Sequence, residues 1–189
     1  MRSTKRLFDI FFAIILLLIC APAMLGIAVL VALTSRGSIL YWSDRVGKKN
    51  RIFSMAKFRT MSVGAPSVAT HLLSYPHQYI TRIGQWLRRT SIDELPQLWN
   101  ILKGDMSFVG PRPALYNQDD LIALRTQKGV HVLVPGLTGW AQIHGRDKLP
   151  IPLKVEYDEY YLAHQSLRMD IAILWKTLFK AMRGEGVVH

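Results

Sequence analysis

Two acids stand side by side at Asp93 and Glu94, directly before Leu95, Leu98, Trp99 and Leu102, which recur at helical spacing until Gly104. The pattern predicts a helix whose N-terminus carries both carboxylates, and two readings of the pair follow. Ser91 with Glu94 three residues later spells a capping box, and acids in a first turn are favoured by the helix dipole. Pro96 bears on the choice of cap. With Ser91 as cap it is the fifth helical residue and lacks a needed N–H; with Asp93 as cap it falls in the first turn, where proline is tolerated. The chemical reading uses the same geometry, since a carboxylate at a helix N-terminus stays ionised and can act as a nucleophile while its neighbour holds a divalent cation.

The surroundings of the pair are cationic. Arg88 and Arg89 lie just upstream, and Gly110, Pro111, Arg112 and Pro113 follow the helix. Between two prolines the backbone of Arg112 is restricted, so its guanidinium can be presented to a phosphate at little ordering cost; a surface arginine in a stiff turn is the other reading. There is no G-x-x-x-x-G-K-[ST] loop and no G-x-G-x-x-G fingerprint, so any phosphate must be held by side chains and helix ends.

The elements that carry these residues belong to a chain of 189 residues, half of them apolar, with a formal net charge of +11. One core is expected, and the charge calls for an anionic partner: nucleic acid, phospholipid headgroups or a phosphorylated substrate. Interleaved Trp and Arg residues are compatible with a nucleic-acid binder or a non-catalytic membrane adaptor, but no recognised nucleic-acid motif is present. Cys20 is the only cysteine, which excludes an intrachain disulfide, and the six histidines show no ligand-like pairing for a transition metal.

From Ile10 to Ser35 there is not one charged side chain. This run exceeds a signal-peptide core of roughly 7 to 15 residues, and it is long enough to enter a bilayer. Arg2, Lys5 and Arg6 precede it while Arg36, Arg45, Lys48, Lys49 and Arg51 follow, so the positive-inside rule puts both flanks on one side. Pro22, near the middle, removes a backbone donor and bends a helix. A helix from about Phe8 to Ala21 rises roughly 21 Å, short of a crossing of about 30 Å. The expectation is a re-entrant helical hairpin with its break at Pro22.

Downstream, Ile39 to Trp42 and Arg51 to Phe58 read as a β-hairpin, and Val63 to Thr70 as a loop. Ile80 to Arg89 and Ile171 to Arg183 read as basic amphipathic helices, suited either to a membrane surface or to a core with a solvated basic face. The fold expected is mixed α/β and mostly helical, with the hairpin and two interfacial helices.

Four blocks carry a further signal: Lys57 to Met61, Ser91 to Pro96, Leu102 to Pro113, and Pro135 to Gln142. In this order they resemble the signature blocks of the bacterial sugar transferase family, the small monotopic phosphoglycosyl transferases. The resemblance covers nearly the whole chain. It implies a membrane-embedded segment over residues 1–36 and a catalytic domain over 37–189 seated on the cytoplasmic face of the bacterial inner membrane, among phospholipids. It further implies Asp93 as nucleophile and Glu94 as its partner, in a Mg²⁺-dependent reaction between a UDP-sugar and undecaprenyl phosphate, with no nucleic acid involved. Both carboxylates are then candidate metal ligands, with a proton-handling role for Glu94 left open. Lys57, Arg59, Arg88 and Arg112 become candidate phosphate contacts, and Arg146 and Asp158 candidate nucleotide contacts. Which sugar is used, and whether the chain forms a homo-oligomer, are left open. Family members often carry Ser-Pro at the membrane break, where this chain has Ala21-Pro22.

Overall fold

The computed structural model describes residues 3–66, 75–145 and 149–182. Its first element is α1 (Ser3–Thr34), which continues through Pro22. The helix does not stop near Ala21 as expected. Proline forfeits one hydrogen bond, and more than ten residues on either side supply the rest of the ladder.

The helix is about 48 Å long by its rise per residue, and both of its halves touch the same body. Near its start, Lys5 Nζ pairs with Asp170 Oδ2 at 2.6 Å, and Asp9 Oδ1 accepts the Phe108 amide at 3.2 Å. Arg6 donates to the carbonyls of Ile101 and Leu102, each at 2.6 Å. Near its end, Ile27 and Val31 are buried in a cluster with Phe58 and Leu87. Between these contacts, Leu18 and Ile19 are exposed. Among the described residues α1 is the one helix long and apolar enough to cross a membrane.

Strands β1 (Leu40–Val46) and β2 (Ile52–Phe58) form the predicted antiparallel hairpin, in register from Leu40 opposite Phe58 to Val46 opposite Ile52. The first strand is longer than expected because Asp44 and Arg45 join the ladder, Asp44 accepting a bond from Ser54 Oγ at 2.9 Å. Its turn places Lys49 and Asn50 at positive φ. Next come α2 (Arg82–Thr90), α3 (Gln97–Lys103), β3 (Ser107–Val109), β4 (Ala114–Leu115) and α4 (Asp119–Gln127). They are followed by β5 (Gly136–Thr138), α5 (Trp140–His144), α6 (Ile151–His164) and α7 (Leu167–Met182). Strand β4 extends the hairpin on the free edge of β1, while β3 and β5 form a separate parallel pair.

The main core gathers Met55, Leu98, Ile101, Met106, Phe108, Val109, Ile143, Tyr161 and Ile173 around the buried Ala13 of α1. Both amphipathic helices are present. In α2, Leu87 is buried and Trp86 is 47% exposed; in α7, Ile173 is buried while Ile171, Trp175, Leu178 and Phe179 face outward. Helix α7 is therefore apolar on two sides, one packed and one exposed among the described residues.

Candidate active site

The acidic pair does not open a long helix. Thr81 caps α2, its Oγ1 accepting the Gly84 amide at 3.0 Å, and the helix ends at Ser91 in the left-handed region, φ 57°. Ile92–Glu94 then make one 3-10 turn before α3 begins, with Pro96 at its N-terminal boundary. Ser91 makes no side-chain cap bond, so the capping-box reading is overturned. Glu94 is instead occupied elsewhere. Its Oε1 accepts both Lys57 Nζ at 2.6 Å and Arg112 Nη2 at 2.9 Å.

Three elements bring these cations in. Lys57 comes from β2, which is pinned to α3 by Asn100: this buried side chain accepts the Ala56 amide at 3.1 Å and donates to the Ser54 carbonyl at 2.9 Å. Arg88 comes from the last turn of α2, its Nε donating to Thr60 Oγ1 at 2.8 Å. Arg112 comes from the turn between β3 and β4. That turn springs from Gly110, whose backbone lies so close to β5 that an added Cβ would collide with the Val134 carbonyl.

The electrostatics separate the two acids. Burial pushes the Asp93 carboxyl up, and the charge of Glu94 adds to this. Lys57, Arg88 and Arg112 oppose, and the balance stands at about 6. Burial acts on Glu94 in the same sense, but Arg112 and Lys57 outweigh it and hold that carboxyl well below the usual range. Burial also pulls Arg88 below its ordinary value, with Asp93 opposing. The result is one buried carboxylate that titrates near neutrality beside one permanently charged, with three cations around them. Such a cluster suits an anionic ligand and a nucleophile.

A family model described as bacterial sugar transferase matches residues 1–184. The chain belongs to that family. Among its relatives is the UDP-N-acetylgalactosamine-undecaprenyl-phosphate N-acetylgalactosaminephosphotransferase of Aeromonas hydrophila, 38% identical over 187 residues, 96% of this chain and 44% of the relative. The undecaprenyl-phosphate glucose phosphotransferase of Komagataeibacter xylinus is 40% identical over 187 residues, 92% of this chain and 35% of the relative. An uncharacterized sugar transferase of Bacillus subtilis is 39% identical over 186 residues, 97% of this chain and 89% of the relative. The chain thus spans less than half the length of the first two.

Within this bacterial sugar transferase, the candidate residues named from sequence divide into three groups. Asp93, Glu94, Lys57, Arg88 and Arg112 converge. Arg59 and Asp158 are engaged elsewhere: Arg59 Nη2 donates to Ser38 Oγ at 2.7 Å, beside the end of α1, and Asp158 is buried on α6 against Arg125. Arg146 lies outside the described residues. Sequence reading missed Asn100 and Arg125. Asn100 carried a usable signal, a polar residue inside the apolar run Leu98, Trp99, Ile101 and Leu102.

Proposed function

We propose that this chain transfers a sugar 1-phosphate from a UDP-sugar to undecaprenyl phosphate by way of a covalent intermediate on Asp93. A carboxylate oxygen of Asp93 attacks the β-phosphorus, the bond from that phosphorus to the bridging oxygen breaks, and UMP leaves. A phosphate oxygen of the lipid then attacks the same phosphorus and breaks its bond to Asp93, giving a diphosphate-linked lipid sugar and restoring the carboxylate. Lys57, Arg88 and Arg112 offset the charge on the transferring group, and Glu94 fixes Lys57 and Arg112 at one oxygen. The observation that carries the reading is the buried Asp93 inside this cationic ring, in a family whose named relatives include sugar phosphotransferases.

The donor set fits magnesium. The cation is hard and is commonly held by one or two carboxylates together with substrate phosphates and water. Asp93 and Glu94 offer that pair, and the described residues contain no cluster of three or more metal-ligating side chains that would suit a closed all-protein site. When bound, magnesium would neutralise charge on the diphosphate.

We also read α1 as re-entrant in the cytoplasmic leaflet of the bacterial inner membrane. Its two halves pack on one domain while its middle, around Pro22, is exposed. A simple span would carry one end away from that domain. The outward residues of α7 would rest among phospholipids, and the product would feed assembly of a surface glycan.

The test is incubation of nanodisc-embedded protein with labelled UDP-sugars, magnesium and undecaprenyl phosphate, with Asp93→Asn alongside. Labelled lipid and UMP that both require Asp93 support the transferase. Multiple-turnover UMP release without lipid would make it a hydrolase, and no reaction with any donor would favour an adaptor.

A further inference from the structure

Prolines stiffen the turn that carries Arg112 but leave it few amides with which to fix its place against the rest of the fold. Pro111 and Pro113 have no N–H, so two of its three residues cannot donate to a ladder. Its three consecutive carbonyls are instead held from outside. The Pro111 carbonyl accepts the Gly136 amide at 2.9 Å, the Arg112 carbonyl accepts Arg125 Nη1 at 2.8 Å, and the Pro113 carbonyl accepts Arg45 Nη1 at 3.3 Å.

Arg45 is also anchored, its Nε donating to Ser43 Oγ at 3.0 Å, but Arg125 is gripped by a buried carboxylate. Arg125 sits in the last turn of α4, only 8% exposed, and Asp158 of α6 is 1% exposed. Asp158 Oδ2 accepts both Nε at 3.0 Å and Nη2 at 2.6 Å. The planar fork therefore spends two nitrogens on Asp158 and aims the third at the turn. The chain of contacts runs from α6 through α4 to the backbone of Arg112, and from the Arg112 side chain to Glu94.

We propose that Arg125, gripped by Asp158, is a positioning residue that sets the Pro111-Arg112-Pro113 turn so that the Arg112 guanidinium meets the transferring phosphate. Asp158 on this account serves Arg125 and does not touch the nucleotide. The inference rests on the transferase reading above, and its effect passes entirely through Arg112. Misplacing a phosphate-binding group by about 1 Å can cost on the order of 100-fold in rate. Lysine at position 125 keeps the charge but has no fork with which to hold Asp158 and the carbonyl together.

The experiment is a double-mutant cycle in nanodiscs with Arg125→Lys, Arg112→Ala and their combination, and with Asp158→Asn as a second entry into the same cycle should Arg125→Lys fold poorly. Transfer rate, KM for the donor and thermal midpoint are read for each. Arg125→Lys is expected to lower kcat roughly 10- to 100-fold in the otherwise native enzyme and less than about 2-fold in the Arg112→Ala background, the mark of residues acting as one unit. Equal losses in both backgrounds, losses that only track the folded fraction, or an effect of Asp158→Asn confined to donor KM would overturn the proposal. A native enzyme that transfers to no acceptor would instead overturn the transferase reading, and this inference with it.

Discussion

Asp93 and Asp170 are both buried carboxylates beside a lysine, yet the regions around them are wired in opposite senses. Asp170 has both oxygens accounted for: Oδ2 accepts Lys5 at 2.6 Å and Oδ1 accepts the Tyr161 hydroxyl at 2.6 Å. Tyr161 also reaches the Val109 carbonyl, and burial together with the Asp170 charge pushes its hydroxyl far above the ordinary tyrosine value. The cluster is closed, and it ties α1 to α7 and β3. At Asp93, three cations face two carboxylates, and burial wins at the group proposed to react. A closed ionic cluster positions elements; one with excess positive charge and an acid held near neutrality is prepared for an anion.

This contrast predicts that the two aspartates fail in different ways when changed. The largest effect is expected from Asp93→Asn, which should lower transfer by at least about 1,000-fold while leaving a folded protein, read as UMP release and labelled lipid per folded molecule. Asp170→Asn should do the reverse. It breaks the buried pair with Lys5, which keeps Asp9 as a neighbouring carboxylate, at a cost of up to about 3 kcal/mol, with activity per folded molecule retained; chemical denaturation and a rate normalised to folded protein check both halves. If Asp170→Asn abolishes transfer without destabilising, the division into anchor and reaction centre is wrong.

A smaller effect sharpens the same comparison. The folded state raises Asp93 from 3.8 to about 6, so it binds this proton more tightly than the unfolded chain does. The associated stability is full below about 3.8 and is lost as pH rises through about 6. At pH 8 Asp93→Asn should therefore be more stable than the native protein by on the order of 2–3 kcal/mol, the gain fading at pH 4. Thermal midpoints at the two pH values decide it. The smallest shift concerns Glu94→Gln. Removing that charge takes away one of the influences that raise Asp93, so the acid limb of the rate profile should move below pH 6 even as the rate itself falls. An acid limb moving upward would mean that the lost grip on Lys57 and Arg112 dominates.

Much of this arrangement was legible in the chain. The acid pair, the β-hairpin, the apolar helix and the stiff Arg112 turn were all placed from local pattern, because adjacent carboxylates, alternating apolar residues, an uncharged run and paired prolines act over a few residues. Local reading failed where a side chain had a choice of partners. Ser91 and Glu94 have capping-box spacing, but Lys57 and Arg112 offer Glu94 two charged donors, which outcompete one backbone N–H. Arg59 lies two residues after Lys57, yet the strand has ended by then and its guanidinium reaches Ser38.

The sequence by itself determined which residues carry charge, where the chain can enter a lipid phase and where the backbone is stiff, since these depend on residue type and near neighbours. Only the tertiary structure decided which charges meet. Lys5 and Asp170 are 165 residues apart, and Arg125 and Asp158 are 33 apart. Both pairs exist because helices from distant parts of the chain pack on one core, and no local periodicity encodes that packing. The same packing turned Asp93 from an ordinary carboxylate into one that titrates near neutrality, because desolvation is a property of everything folded around a group.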